Sequence, residues 1–393
     1  MKKIIFVIDS LSSGGAEKSL LSLLSLFDYE KYKVDLLMFS QGGLYLPLLP
    51  KEVTVLDVPT FIQRQAGGVK NLIINKKYKD LYLRFRGSLS LRNPYKIRNM
   101  HGAQISWSWT SKGIDMITEK YDVAIAYSQG TPTYFVAEKV IADKKFCWVN
   151  TDYKVAPYNK SFDIAYYEQF DNVIAVSELN KEVFIQEMPI AKEKTNVVYD
   201  IISPSLIKSM ANQQGGFTDE CDGVRILTIG RLVDAKGYDM AIEACFKLKT
   251  QGFKHKWYVI GEGQLKEKLE TMIKKYKLED TFILLGTFHN PYVYLKQCDI
   301  YVQPSRFEGF GLAIAEARIL QKPVIATNFT VIHDQIKDGE NGIIVNMNSE
   351  DLHVGISKIL GDSSLREHIR ENLGKENIGT EEEINKVYAM IES

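Results

Sequence analysis

Short apolar runs without polar alternation recur along the chain, and segments with helical spacing separate them. The runs lie at residues 3–8, 34–39, 53–58, 123–127, 145–149 and 173–176, and then at 225–229, 256–260, 281–285 and 300–302. Strands that are apolar on both faces are typical of a parallel sheet covered by helices on both sides. The pattern predicts an α/β protein, and 393 residues are enough for two domains with separate cores.

A polar stretch near the middle of the chain divides these runs into two series. Residues 200–222 include the sequence ANQQGGFTDECD and have the composition of a linker. We therefore predict an N-terminal domain over residues 1–203 and a second domain over residues 204–375. The final segment, residues 376–393, is predicted to form a helix, because residues 381–391 have helical spacing.

The charge balance and the cysteine and histidine patterns exclude several classes of protein. Lysine plus arginine and aspartate plus glutamate both number 49, so no global charge favours nucleic acid as a partner. The four cysteines lack CxxC spacing and the six histidines do not cluster, so we expect reduced thiols and no metal. The apolar run after Met1 stops at Asp9, and no run approaches the roughly eighteen residues of a membrane span, so we expect a cytoplasmic protein.

One segment departs from this charge balance. Residues 64–98 carry ten basic residues against one acid, Asp80, and apolar and aromatic residues are interleaved with them. A basic amphipathic surface suits an anionic membrane face, where each cation contributes about 1 kcal/mol. The alternative is a solvated helical face. The segment from Arg64 to Arg98 thus predicts peripheral contact with an anionic membrane.

The stretch from residue 305 to residue 328, SRFEGFGLAIAEARILQKPVIATN, has the strongest functional pattern. Two carboxylates, Glu308 and Glu316, have seven residues between them, and a glycine turn follows the first. A strand-to-helix turn aims backbone N–H groups and a helix dipole at an entering anion or sugar. Glu308 would lie at the mouth of the turn, and Glu316 about one turn inside the helix, where it can accept two hydrogen bonds from a vicinal diol. The alternative is that both are ordinary helix-start and surface glutamates.

Two other loops at predicted strand ends have suitable chemistry. Gly14 and Gly15 precede the first helix, where glycine allows close approach of a ligand, although such a pair is most often a tight turn. Arg231 follows a strand and Lys236 precedes Gly237 at the next helix. Two cations at such a position would stabilise a departing diphosphate without a metal. The alternative is that both are surface cations beside a turn.

Together these motifs closely resemble the signature of the retaining glycosyltransferases of family 4, whose fold is called GT-B. The resemblance rests on Pro304 with the EGFG turn, the E-x7-E spacing, the KPVIAT strand, the GGAEK loop and the GR-x4-KG loop. It implies two Rossmann-like domains that face each other across a cleft, with a final helix returning to the first domain. The first would meet the acceptor, and the second would hold the donor.

The resemblance also implies roles for individual residues. Glu308 would contact the donor sugar and its phosphate, Glu316 would hold the ribose, and Arg231 and Lys236 would bind the diphosphate. The amides of Gly309, Phe310, Gly311 and Leu312 would orient the sugar. Gly14 and Gly15 would face the acceptor, with Gly15 also near the donor phosphate. Phe288 and His289 would neighbour the nucleobase, or else pack on the domain surface.

The sequence WVNTDYK departs from the family pattern. Relatives commonly have a histidine near the reacting carbon where this chain has Asn150. Asn150 can hydrogen-bond a hydroxyl, but it cannot carry a proton as an imidazole does. Retaining transfer does not demand a base there, because the departing phosphate oxygen can accept the proton. Asn150 therefore stays a candidate catalytic residue and Asp152 an acceptor-side residue, with a turn or helix cap as the alternative for Asp152.

The sequence thus predicts transfer of a sugar from a nucleotide diphosphate donor, a UDP-sugar rather than a GDP-sugar, with retained anomeric configuration. No cofactor is expected, since the nucleotide-sugar is a substrate. The predicted acceptor is a glycan, lipid-linked at the inner face of a bacterial membrane, in capsule, O-antigen or wall polymer synthesis. Asn150 supports a rival, a non-catalytic partner subunit of the same fold. A nucleotide-sugar epimerase is a second rival, which would form product without an acceptor.

Overall fold

The computed structural model describes residues 1–12, 14–40, 42–151, 153–154 and 157–393. These residues form two compact units, one of Met1–Ile201 with Glu381–Ser393 and the other of Ile202–Thr380. The division lies within a few residues of the boundary proposed from the sequence at residue 203.

The first unit is built on a parallel sheet. Its described strands are β1 (Lys2–Ile8), β2 (Tyr32–Met38), β3 (Thr54–Val55), β4 (Lys120–Ala126), β5 (Ile141–Val149), β6 (Asn172–Ala175) and β7 (Thr195–Val197), in the spatial order β3-β2-β1-β4-β5-β6-β7. Its helices are α1 (Gly15–Ser25), α2 (Thr60–Ala66), α3 (Gly68–Ile74), α4 (Tyr78–Leu91), α5 (Pro94–Asn99), α6 (Gly102–Thr110), α7 (Thr131–Lys139), α8 (Lys160–Tyr167) and α9 (Glu178–Glu187). Short 3-10 turns lie at Leu46–Leu48 and Pro189–Lys194.

The central strand explains the apolar runs in the sequence. Ile4, Phe6 and Ile8 of β1 pack into one hydrophobic core, while Ile5 and Val7 pack into a second core on the opposite face of the sheet. Alternate side chains of a strand point to opposite faces. Because both faces of the sheet are covered, every position of β1 from Ile4 onward is apolar, as the sequence predicted.

The second unit has a similar sheet. Its strands are β8 (Val224–Ile229), β9 (His255–Ile260), β10 (Phe282–Gly286), β11 (Ile300–Gln303), β12 (Val324–Thr327) and β13 (Ile343–Val345), in the order β10-β9-β8-β11-β12-β13. Its helices are α10 (Pro204–Ala211), α11 (Tyr238–Thr250), α12 (Lys266–Lys275), α13 (Tyr292–Gln297), α14 (Leu312–Ile319), α15 (Ser349–Gly361) and α16 (Ser363–Lys375). Further 3-10 turns lie at Asp234–Lys236, Thr330–Asp334 and Glu381–Glu383, the last within the first unit.

The predicted linker contains a helix. Helix α10 occupies part of residues 200–222, with Pro204 in its first turn and the Ser203 hydroxyl accepting a hydrogen bond from the Leu206 amide. A serine cap followed by proline is a typical helix start. The Ile207 and Met210 side chains of this helix are buried. The interpretation of this whole stretch as linker was therefore wrong for its first part.

The last helix, α17 (Ile384–Glu392), packs on the first unit, as predicted. Val387 and Ile391 are buried in the core that also contains Phe6 and Phe27. An ion pair between Lys2, the first residue of β1, and Glu392, at 2.7 Å, adds a polar contact between the strand and the last helix. The chain thus leaves the first unit near residue 202 and returns to it at residue 381.

No helix of the described ranges combines the length and the apolar character that crossing a bilayer requires.

Candidate functional site

The loop between β8 and α11 brings two cations to the carboxyl end of the sheet. Arg231 is exposed, and its guanidinium has no hydrogen bond or ion pair with any residue that the structure describes. Lys236 ends the 3-10 turn, and Gly237 follows with φ of +63°. A side chain on Gly237 would clash with the carbonyl oxygen of Pro304. The lysine-glycine pair of the motif therefore reflects close packing of this loop on the segment after β11.

Glu308 is held by a dense set of hydrogen bonds. The Lys236 ammonium lies 2.6 Å from both carboxylate oxygens. Oε1 also accepts from the Ser305 hydroxyl at 2.6 Å and from the Gln303 amide at 2.9 Å. The Glu308 side chain is only 9% exposed. Because three donors occupy Oε1, the carboxylate orientation is fixed, and Oε2 keeps the greater capacity to accept a further hydrogen bond.

The residues that orient Glu308 are themselves supported. The Tyr301 hydroxyl donates to the Gln303 amide oxygen, and the Gln303 amide nitrogen donates to the Ser305 hydroxyl at 2.8 Å. Burial raises the pKa of Tyr301, and the Glu308 charge adds to this effect, so the phenol stays protonated and can donate. The sequence reasoning missed Gln303 and Ser305. Their spacing from Tyr301 is the signal, since residues 301, 303 and 305 alternate as a strand does.

The glycine turn opens helix α14 as expected. Gly311 precedes the helix with φ of +85°, and Leu312 begins it. The Gln335 side chain donates to the Phe310 carbonyl and fixes the turn from outside. Glu316 lies one turn inside the helix, is 3% exposed, and accepts a hydrogen bond from the Tyr292 hydroxyl at 2.9 Å. Glu316 and Glu308 are both largely buried, so the alternative of two solvated surface glutamates is excluded.

In the first unit, Gly14 and Gly15 lie at the start of α1. Gly14 has an extended backbone at the N-cap position, and Gly15 is the first helical residue. A side chain on Gly14 would clash with the Glu17 carboxylate, which folds back over this end of the helix. The helix N-terminus therefore has a carboxylate of its own close by. The roles of Gly14 and Gly15 at acceptor and phosphate stay predictions.

Asn150 lies at the end of β5, where its amide serves the local structure. Its side-chain nitrogen donates to the Tyr127 carbonyl at 2.7 Å, and its backbone N–H donates to the Gln129 side chain at 3.1 Å. Its side-chain oxygen is buried and has no hydrogen-bond partner among the described residues. This arrangement gives Asn150 a structural contact with the segment that follows β4, while a catalytic role stays a prediction. Asp152 lies outside the described residues.

Asp9 is a candidate that the sequence reasoning did not select. It follows β1, beside the glycine loop, and its carboxylate accepts a hydrogen bond from the Ser128 hydroxyl at 3.3 Å. The surrounding protein desolvates this carboxyl and raises its pKa to about 6; the Ser128 hydrogen bond opposes this shift, while the nearby Glu17 charge adds to it. The signal in the sequence is its place as the first polar residue after the first strand.

Phe288 and His289 follow β10 at the other side of the second sheet. The Phe288 ring packs on Tyr294, with 4.6 Å between the ring centroids, and His289 is exposed. The Phe288 side chain is therefore engaged in packing on the surface of its unit. Contact of this loop with a nucleobase stays a prediction.

These features define a class of protein. The second unit places an unpaired guanidinium, a lysine–carboxylate pair, a glycine turn at a helix start and a buried glutamate at the carboxyl ends of parallel strands, where ligands of such sheets bind. Cations with helix-start amides suit a diphosphate, and carboxylates suit sugar hydroxyls. Among the described residues, no group of three or more His, Cys, Asp or Glu side chains could hold a metal ion. The combination is typical of nucleotide-sugar-dependent glycosyltransferases with the GT-B fold.

Comparison with known proteins agrees with this class. Residues 220–376 match the family described as glycosyl transferases group 1. The chain is 26% identical over 370 residues to a Campylobacter jejuni enzyme named N-acetylgalactosamine-N,N'-diacetylbacillosaminyl-diphospho-undecaprenol 4-alpha-N-acetylgalactosaminyltransferase, covering 93% of this chain and 92% of that one. It is 30% identical over 166 residues to the O-antigen biosynthesis glycosyltransferase WclY of Escherichia coli, covering 41% of this chain and 44% of that protein.

A solved structure agrees in fold. Anabaena HepE, determined in complex with UDP and glucose, matches with a TM-score of 0.68 and 19% identity over the full length of both chains. The family match lies within the second unit, and the whole chain resembles bacterial surface-polysaccharide glycosyltransferases with the GT-B fold.

Proposed function

We propose that this protein transfers a sugar from a nucleotide diphosphate donor, a UDP-sugar rather than a GDP-sugar, to a lipid-linked glycan in bacterial surface polysaccharide synthesis, with retained anomeric configuration. The unpaired Arg231 beside the Lys236–Glu308 pair is the observation that carries this proposal. Arg231, Lys236 and the Glu308 carboxylate together carry one net positive charge. A diphosphate can neutralise that charge without a metal.

The proposed reaction uses the donor's own diphosphate as the base. The bond between the anomeric carbon and the phosphate oxygen breaks, and Arg231 and Lys236 stabilise the charge that develops on the leaving group. The acceptor hydroxyl attacks from the same face and gives its proton to the departing phosphate oxygen. Glu308, oriented by Ser305 and Gln303, accepts a hydrogen bond from the sugar through Oε2, and Glu316 holds the ribose. Asn150 needs to carry no proton in this scheme.

The names of two relatives support the acceptor class. The Campylobacter relative is named for a diphospho-undecaprenol substrate, and the Escherichia coli relative for O-antigen biosynthesis. The structure of Anabaena HepE was determined in complex with UDP and glucose. These names favour a UDP-sugar and a lipid-linked acceptor for this chain as well.

The first test is a panel of UDP- and GDP-sugars incubated with the protein in the presence of EDTA, with and without bacterial membrane extract. We expect one UDP-sugar to release its nucleotide, and we expect the rate to rise with the extract and to be insensitive to EDTA. Loss of activity with EDTA would contradict the metal-independent site. A rate that ignores the extract would favour hydrolysis or an epimerase.

The partner-subunit alternative has one structural observation in its favour, namely the engagement of Asn150 with the Tyr127 carbonyl in place of the family's histidine. The same panel separates the two functions. A partner subunit would bind a nucleotide and release none from any donor. The hydrogen bonds that orient the Glu308 carboxylate favour the transferase function, since a non-catalytic subunit would gain nothing from this orientation.

We further propose that α3, α4 and α5 contact an anionic membrane at the cytoplasmic face. The exposed side of α4 is an apolar stripe, with Tyr78, Tyr82, Phe85 and Leu89 exposed by 65%, 55%, 60% and 48%. Their spacing places them on one helix face. The stripe has lysines beside it, and exposed apolar area combined with cations suits the headgroup region of an anionic bilayer.

The structure shows which cations of residues 64–98 are available at this surface. Arg64 pairs with Asp80, Arg84 donates to the Gln65 carbonyl, and Arg86 lies over the Trp109 ring. These three cations are engaged within the unit. The surface charge instead comes from the remaining cations, which form no ion pair with a described residue: Lys70, Lys76, Lys77, Lys79, Arg92, Lys96 and Arg98.

Co-sedimentation with vesicles tests this surface. We expect binding to vesicles that contain phosphatidylglycerol and little binding to pure phosphatidylcholine. The triple variant K76E/K77E/K79E removes three cations at about 1 kcal/mol each and should weaken binding by about 100-fold or more. The double variant Y82S/F85S removes two exposed rings of the apolar stripe and should weaken binding by about tenfold or more. Val354→Ser removes an apolar side chain of similar exposure, 54%, in the second unit and serves as the matched control. Equal binding to both lipid compositions would contradict the proposal.

A further inference from the structure

An aromatic cavity opens on the flank of the second unit. It has a volume of about 510 Å³. Four rings border it, and they contact each other in the order Tyr258, Phe217, Tyr294 and Phe288. The centroid distances along this series are 4.3, 5.1 and 4.6 Å. Its floor is made by the half-buried Ile283 and Leu285 of β10, the edge strand of the sheet.

This cavity is distinct from the Lys236–Glu308 site. Its lining reaches back to Lys256, near the amino end of β9, whereas the cations and carboxylates of the candidate site follow the carboxyl ends of β8 and β11. Strand β10 is separated from β8 by β9, so about 10 Å of sheet lies between them. Phe288 is the one lining residue that the predicted donor site also includes.

The cations around the cavity are already paired. Lys256 forms an ion pair with Asp219, which also accepts a hydrogen bond from the Tyr258 hydroxyl at 2.7 Å. Arg225 donates to the Asp219 carbonyl and lies over the Phe217 ring. In contrast, Glu279 and Asp280 are exposed at the rim and have no hydrogen bond or ion pair with a described residue. The free charged groups of the rim are therefore carboxylates, which accept hydrogen bonds.

The charge of the rim and the apolar walls of the cavity indicate which kind of ligand it can bind. The free carboxylates disfavour phosphates, nucleotides and acidic polymers, and they accept hydrogen bonds from hydroxyl groups. The flat rings and the aliphatic floor offer apolar area to the C–H face of a sugar ring. The volume falls within the usual range of small-ligand sites, which combine apolar walls with a few polar groups.

We propose that the aromatic cavity binds a pyranose unit of a neutral glycan, with the ring on the aromatic wall and the hydroxyls donating to Glu279 and Asp280. This site would hold a part of a glycan away from the position of transfer. The proposal stands on the cavity alone and goes beyond the proposed transferase activity.

Saturation-transfer NMR and titration with methyl glycopyranosides of glucose, galactose and N-acetylglucosamine test this site. We expect at least one of them to bind the wild-type protein. Phe217→Ala and the double variant E279Q/D280N should each weaken its binding by about tenfold, and Arg231→Ala should leave it unchanged. The E279Q/D280N variant should fold as the wild type does, because both side chains are exposed, so its loss of binding would not reflect unfolding. Phe246→Ala removes a ring with 37% exposure that packs on Tyr276 outside the cavity, and it should bind as the wild type does.

Four results would overturn the proposal. One is the absence of binding by all three glycosides, and another is binding that survives both cavity variants. The third is displacement of the glycoside by tetramethylammonium at equal concentration, which would identify an aromatic site for cations instead. The fourth is loss of binding in Arg231→Ala alone, which would place the sugar at the candidate donor site.

Discussion

Replacing Arg231 by alanine is expected to lower the turnover of the proposed transfer by about 10²- to 10³-fold, the usual effect of removing one charge partner of a transition state. The guanidinium is exposed and has no hydrogen bond or ion pair with any described residue. Its removal therefore breaks no internal contact, and the free energy of unfolding should change by less than about 0.5 kcal/mol. The measurement is nucleotide release with the preferred donor, together with urea unfolding of both proteins.

Two further variants sharpen this prediction. Arg231→Lys keeps the charge but loses the bidentate geometry, so its turnover should lie between those of the wild type and the alanine variant. Lys254→Ala removes another exposed cation of the second unit, one paired with Asp222, and should transfer at the wild-type rate. Transfer by Arg231→Ala at a rate close to that of the wild type would remove the main support for the proposed site.

The sequence was most informative where burial controls the choice of residue. Both sheets could be predicted because strands covered on both faces must be apolar at nearly every position, as β1 is. The glycines could be interpreted because Gly237 and Gly311 have positive φ and meet close neighbours. Helix α10 was missed because it is short and a long polar sequence follows it, so the start signal of Ser203 followed by Pro204 was not recognised.

The sequence was less informative where a side chain has several possible partners. Composition counted Arg64 and Arg84 with the basic surface, but both turn inward, to Asp80 and to the Gln65 carbonyl. Similarly, the motif placed Glu308 at the mouth of the turn, whereas only the structure shows that Lys236, Ser305 and Gln303 all converge on it. The contact between Lys236 and Glu308 joins residues 72 positions apart along the chain, so local spacing does not predict it.

The pairing of Lys236 with Glu308 leads to the second large effect. Lys236→Ala should reduce turnover by at least about 10²-fold, because the diphosphate loses a cation. It should also destabilise the protein by about 3 kcal/mol, since the Glu308 carboxylate, only 9% exposed, is left without its charge partner. Glu308→Gln should cost less stability, because Lys236 is 19% exposed and can be solvated in part. Urea unfolding and nucleotide release on each variant measure the two effects separately.

The double variant K236A/E308Q separates stability from catalysis. A neutral amide at position 308 needs no cation and can still hydrogen-bond with Ser305 and Gln303, so the double variant should recover most of the stability that Lys236→Ala loses. Its turnover should stay as low as that of either single variant, because the diphosphate still lacks a cation and the sugar still lacks a carboxylate. If the double variant is as unstable as Lys236→Ala, the loss comes from packing of the lysine stem and not from the Glu308 charge. If it recovers turnover together with stability, then Lys236 serves only to neutralise Glu308, and the diphosphate depends on Arg231 alone.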